Sequence, residues 1–167
     1  VVERVERGKA EGVYYYQQAV EKLDGARVWV DGRPKLMFAT YSYLGLLNHP
    51  RINAAAQAAI REFGTGTHGV RLLGGTITLH KELEERIARF DGTADAIVFS
   101  SGYVTNLSTI STLVGRNDAV ICDKWDHASI VDGCLLSRAE FVRFRHNDMA
   151  DLERCLARLQ ERETRLV

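Results

Sequence analysis

From residue 94 to residue 159 short apolar runs alternate with longer amphipathic ones. No other feature restricts the fold as much. Residues 94–99, 119–122 and 141–144 have the length and the Ile, Val and Phe content of short buried strands. Between and after them, residues 102–114, 128–136 and a segment opened by Asp148 read as helices. Leu152, Leu156 and Leu159 share one face of the last, and Asp148 and Asp151 place carboxylates where a helix dipole favours them. Strands and helices alternating at this spacing make βαβ units. The expected class is therefore α/β, a mostly parallel sheet with flanking helices.

The upstream part reads differently. Residues 1–24 carry helix-like periodicity, broken at Asp24-Gly25. Val28 and Val30 on one side of Asp31-Gly32-Arg33-Pro34, and residues 35–40 on the other, read as a β-hairpin, because Asp-Gly supplies the turn. Pro50 opens a helix over 50–63 with an apolar stripe at Ile52, Ala56, Ala59, Ile60 and Phe63, and Gly64 stops it. The loop GTGTHGVRLLGG fills 64–75. A further helix over 76–90 carries Leu79, Leu83, Ile87 and Phe90 on one side and ends at Asp91-Gly92. The expected division is an N-terminal helix and hairpin over 1–45, then a larger α/β region over 46–167.

Composition narrows the function classes. Lys plus Arg (22) equals Asp plus Glu (22), so the basic surface that nucleic-acid binding needs is not expected. No apolar run approaches the ~18–20 residues that span a bilayer. The N-terminus has no apolar h-region, which fits a cytoplasmic protein. Cys122, Cys134 and Cys155 show no CxxC spacing and read as small buried hydrophobes, with no metal site expected.

In open α/β sheets ligands sit beyond the carboxyl ends of the strands. Two such ends are unusual. The first runs through Ser100, Ser101 and Gly102 straight into a helix. Ser101, Gly102 and Tyr103 would present main-chain N–H groups to an anion, with phosphate the natural guest; small residues also serve there simply as N-caps. The second, after 119–122, holds Asp123 and His127. His127 reads equally as a base, hydrogen-bond partner or planar stacking surface, or as a first-turn residue bonded to its own backbone. The 64–75 loop lacks the Gly-Lys-Ser/Thr of a Walker motif and the apolar strand that precedes a dinucleotide fingerprint. Within it His68 and Arg71 suit a ligand carboxylate, and a plain surface loop is the other reading. His80 suits a ligand or a helix cap, while His49 and His146 read as structural or solvated.

Several spaced motifs then occur in one order: Tyr43-Leu44-Gly45-Leu46, His49-Pro50, GTGTHGVR, His80, SSGY with Asn106, Asp123, His127-Ala128-Ser129-Ile130, and Arg145-His146-Asn147. In these the chain resembles the α-oxoamine synthases from about residue 25 to its last residues. They are the fold-type I pyridoxal phosphate (PLP) enzymes typified by serine palmitoyltransferase and 8-amino-7-oxononanoate synthase. The resemblance implies the N-terminal part of a fold-type I large domain. It implies PLP as cofactor, an amino acid and an acyl-CoA or other acyl thioester as substrates, condensation usually with decarboxylation, and a homodimer. Ser101, Gly102 and Tyr103 match the segment that holds the cofactor phosphate. His127 matches the histidine stacked on the pyridine ring and counts as catalytic. Tyr41 and Ser42, where the family often has Asn, fall with His68 and Arg71 among the substrate contacts. Family members are about twice as long, and none of Lys9, Lys22, Lys35, Lys81 or Lys124 matches the Schiff-base lysine. The chain is therefore expected to be a fragment, inactive alone. Two rivals stand beside this reading: a non-catalytic subunit of a heteromeric serine palmitoyltransferase-like complex, and another α/β module for a phosphorylated ligand.

Overall fold

The computed structural model describes residues 2–14 and 16–167. It divides into two compact units, residues 1–75 and 76–167.

In the first unit, helix α1 (Val2–Ala10) is followed by a three-stranded antiparallel sheet, β1 (Lys22–Asp24), β2 (Arg27–Val30) and β3 (Arg33–Leu36). Asp31 and Gly32 both take positive φ, 51° and 68°, so a two-residue turn matched to strand twist joins β2 to β3. The turn is thus tighter than the four residues read from sequence, and Arg33 and Pro34 lie in β3. Pro34 is tolerated because β3 is an edge strand. Val28 and Val30 are buried, and the Lys22 ammonium lies 4.7 Å over the Trp29 ring. The helix expected over 1–24 is corrected: among its described residues only Val2–Ala10 is helical, and Lys22–Asp24 pairs with β2. Sheet pairing outweighs helical periodicity there. Val1 and Tyr15, within that expected helix, lie outside the described residues. Helix α2 (Pro50–Phe63) has the expected bounds, with His49 as N-cap, Pro50 in the first turn and Gly64 after the end at φ 77°. In the 64–75 loop, Leu73 and Gly75 both donate to the Val70 carbonyl. A Cβ at Gly75 would collide with the Gly69–Val70 backbone, so only glycine closes this turn.

In the second unit, α3 (Thr78–Asp91) and α4 (Gly102–Leu113) precede a parallel sheet. This sheet comprises β4 (Ala119–Asp123), β5 (Glu140–Phe144) and β6 (Arg165–Leu166), with β4 central, and α5 (Ala128–Ser137) and α6 (Met149–Arg158) lie between the strands in sequence. Alternation along β4 sends side chains to opposite faces. Ala119 and Ile121 pack with Val142, Phe144, Cys155 and Leu159 under α6. Val120 packs with Val114 and Cys134, with Ile110 and Ile130 against them. Asp118 ties the strand entry, its carboxylate accepting from Gly115 N–H at 2.7 Å and Thr164 N–H at 3.0 Å.

One expectation is corrected here, and one strand is added. Residues 94–99 form no strand: among the described residues no strand pairs with them, and Val98 N–H instead donates to the buried Glu84 carboxylate at 3.1 Å. A strand is a hydrogen-bonding relation, and apolar sequence alone does not supply the partner. Residues 162–167, to which the sequence reading assigns no element, place Arg165–Leu166 in parallel register with Ala119 and Val120. Two residues are too short for periodicity to register.

Candidate functional site

β4 and β5 run parallel, so their carboxyl ends open on the same edge of the sheet. At that edge Asp123 joins the two connections. Its carboxylate accepts from Trp125 N–H at 2.8 Å and Asn147 N–H at 3.1 Å, and meets His146 Nδ1 at 2.9 Å. The Trp125 N–H first, then His146 and the Asn147 N–H, hold the Asp123 carboxyl below the usual carboxylate range against the opposing effect of burial. The Trp125 and His146 rings stack with centroids 4.2 Å apart. His146, read as structural or solvated, is thus a structural tie.

α4 begins at Gly102, with Ser101 as N-cap accepting from Val104 N–H through its side chain at 3.2 Å. The N–H groups of Gly102 and Tyr103 belong to the first turn and have no acceptor inside the helix. A Cβ at Gly102 would meet nothing within 4 Å, so the approach to these donors is open.

His127 is the N-cap of α5. Its Nδ1 accepts from Ser129 N–H at 3.1 Å and lies 2.7 Å from Ser129 Oγ. The backbone-capping reading of His127 is therefore observed, and among the described residues it leaves Nε2 without a hydrogen-bond partner. The His127 and Tyr103 rings sit 6.1 Å apart between centroids, nearly perpendicular at 76°. The starts of α4 and α5 thus converge, bringing Ser101, Gly102, Tyr103 and His127 to one place.

Two cross-helix links hold them there. The Tyr103 hydroxyl bonds the Asp132 carboxylate. That bond, with burial and the carboxylate charge, pushes the Tyr103 hydroxyl's pKa up and keeps it protonated. Asn106 Nδ2 donates to Ser129 Oγ at 2.9 Å, and Ser129 is 1% exposed. Tyr103 and Asn106 are three residues apart on α4, as are Ser129 and Asp132 on α5, so each pair shares a helix face. Gly133 permits this closeness: a Cβ there would lie 3.1 Å from the Asn106 carbonyl oxygen and from Ile110 Cβ. Sequence reading assigned no role to Ser129 or Asp132. The available signal was a polar pair spaced by three on each helix, Tyr103 with Asn106 and Ser129 with Asp132.

The other candidate residues belong to the first unit. Tyr41 is 94% exposed, and its carbonyl accepts from Tyr43 N–H at 2.9 Å. Ser42 N–H donates to Thr40 Oγ1 at 3.1 Å. His68 is exposed and Arg71 half-buried in the 64–75 loop. His80, in the second unit, accepts from Ile77 N–H at 3.1 Å and is a helix cap. Among the described residues no three His, Cys, Asp or Glu side chains are grouped to hold a metal ion, and no helix is long and apolar enough to cross a membrane.

The second unit is thus an open parallel α/β arrangement with a small-residue helix start and an imidazole at the strands' carboxyl edge. Comparison with known proteins makes the assignment specific. Residues 33–167 match the family Aminotransferase class I and II, and the chain belongs to that family. It is 50% identical to 8-amino-7-oxononanoate synthase of Geobacter sulfurreducens, over 89% of this chain and 38% of that protein. It is 43% identical to serine palmitoyltransferase of Sphingobacterium spiritivorum, over 98% of this chain and 41% of that protein. Among solved structures, the serine palmitoyltransferase of S. paucimobilis with a bound PLP–myriocin aldimine superposes with a TM-score of 0.93. The identity there is 39%, over 98% of this chain and 43% of that one. The chain therefore spans about two fifths of the length of the relatives it matches, and over that part it has their fold. The α-oxoamine synthase resemblance and the α/β class read from sequence agree with these relatives.

Proposed function

We propose that the complete protein is a PLP-dependent acyltransferase of the α-oxoamine synthase type. It joins an amino acid to an acyl-CoA or other acyl thioester, usually with loss of carbon dioxide. The observation that carries this is the meeting of the α4 start with His127 at the α5 start, the Tyr103 and His127 rings lying 6.1 Å apart between centroids.

The donor set suits a phosphate dianion: two main-chain N–H groups at a helix start, the Ser101 hydroxyl, and an approach left open at Gly102. In this reading Ser101, Gly102 and Tyr103 hold the cofactor phosphate, and the helix dipole adds to the attraction. His127 lies against the pyridine ring and fixes its plane. When bound, the cofactor supplies an electron sink for negative charge developing at the amino acid's α-carbon. His68 and Arg71 take the substrate carboxylate, while Tyr41 and Ser42 contact substrate nearby. The Schiff-base lysine belongs to the remainder of the protein. The complete protein is cytoplasmic and works as a homodimer.

The test uses the complete protein. It should show the absorbance band of lysine-bound PLP, abolished by borohydride reduction. His127→Ala should cut condensation by about a hundredfold through lost ring orientation. Turnover equal to wild type, or no borohydride-sensitive band, overturns the reading. Activity across serine, glycine and alanine with several acyl thioesters identifies the substrates.

A further inference from the structure

His49, His80 and His127 all turn Nδ1 toward a backbone N–H at a helix start. His49 and His80 do nothing more there: Nδ1 of each accepts from one main-chain donor, Arg51 N–H at 3.3 Å and Ile77 N–H at 3.1 Å. His127 differs. Its Nδ1 meets both the N–H and the Oγ of Ser129, and that Oγ receives a bond from Asn106 on the neighbouring helix.

The directions of these bonds are constrained. A main-chain N–H can only donate, so Nδ1 must present a lone pair. The Asn106 Nδ2 group also only donates, so it takes an acceptor lone pair of Ser129 Oγ. The hydroxyl hydrogen is then free to turn toward Nδ1. Chain and proton thus run one way, Asn106 to Ser129 to His127. Ser129 is 1% exposed, so water does not compete for these positions.

We propose that Ser129 and Asn106 are positioning residues that hold His127 in its Nε2–H tautomer, with Nδ1 turned inward and the ring plane fixed. Nε2–H is left as the single ring donor for a ligand oxygen. This rests on the reading that His127 lies against the cofactor ring, and it gives a reason for the buried Ser129 hydroxyl and the half-buried Asn106 amide between α4 and α5. A histidine serving only as a helix cap needs neither.

The test is nitrogen NMR of the complete protein, labelled with 15N in histidine side chains and free of cofactor. A His127→Gln sample assigns the signals. Wild-type His127 should show an unprotonated Nδ1 and a protonated Nε2. In Asn106→Asp the carboxylate accepts the Ser129 proton and turns an Oγ lone pair toward His127. The ratio of Nε2–H to Nδ1–H should then fall about fivefold to tenfold, the equilibrium worth of one hydrogen bond. Ser129→Ala, which keeps the main-chain donor, should lower the ratio less. His49 and His80 should not move in either variant. If Asn106→Asp fails to fold, Ser129→Ala decides. A wild-type His127 protonated on Nδ1, or a ratio unmoved in the folded variants, overturns the proposal. PLP added to the same samples and followed by visible circular dichroism separates the two readings. A shifted tautomer with no cofactor bound by wild type overturns the cofactor reading alone. Cofactor bound with an unmoved tautomer overturns the positioning role alone.

Discussion

Residues 94–99 and strand β4 are built from similar amino acids and reach different ends. Both are short runs rich in Ile, Val and Ala. In β4, β5 pairs along the whole strand and β6 along its first two residues, and Ile121 is 1% exposed. In 94–99 no strand forms, and Ile97 is 70% exposed. The helices repeat the contrast. α6 lays Cys155 and Leu159 into the core beside Ile121, whereas α2, with an equally clear apolar stripe, has no buried residue. An apolar pattern states which face a segment can bury. A partner within the chain decides whether it does.

The largest expected effect tests that contrast directly. In the 167-residue chain Ile121→Ala should cost about 3 kcal/mol, from lost burial and the cavity left behind. Ile97→Ala should cost no more than ~0.5 kcal/mol, as at other exposed sites. Urea midpoints compare them; equal losses would mean that 94–99 is packed as a strand after all.

Thiol chemistry sharpens the comparison. Burial pushes the Cys122 thiol up to about 11, and burial likewise raises that of Cys134. Native Cys122 and Cys134 should stay unmodified by iodoacetamide until the chain unfolds. A thiol introduced by Ile97→Cys should react more than about tenfold faster than either. Comparable rates in mass-spectrometric labelling would remove the distinction between the two segments.

The smallest effect concerns the polar edge of β4. Asp123 and Asp151 are both held below the ordinary carboxylate range, first by the N–H groups of Trp125 and Arg145 respectively. A carboxyl with a lowered folded pKa stabilises the fold above the unfolded value of about 4, and that contribution is lost as pH falls through the lower folded value. Asp123→Asn should therefore flatten the loss of stability that begins as pH falls towards about 4 and continues through the lower folded value. An acid limb as steep as wild type would show that Asp123 does not tie the two connections.

Much of the site was legible before any coordinates. Ser101-Gly102-Tyr103 at the start of α4 carries its own physics, since small residues and a helix start expose main-chain donors. His127 was legible only as a set of alternatives, and capping is now seen to coexist with an Nε2 that has no hydrogen-bond partner among the described residues. Ser129 and Asp132 were not legible in those roles. A serine two residues after a histidine means nothing until a second helix brings Asn106 within 2.9 Å of it. The 1–24 segment misled because helical spacing over-read a stretch that the β2 edge recruits as a strand.

By itself the sequence determined the order of most elements, the Asp31-Gly32 turn, the glycine helix stops and the α/β class. Those follow from local preferences and periodicity, which each residue carries wherever it sits. Tertiary structure alone decided that β4 is central, that Arg165–Leu166 completes its far side, and that Asn106 meets Ser129 across two helices. These are relations between segments far apart in the chain, and they come into being only when burial brings the segments together.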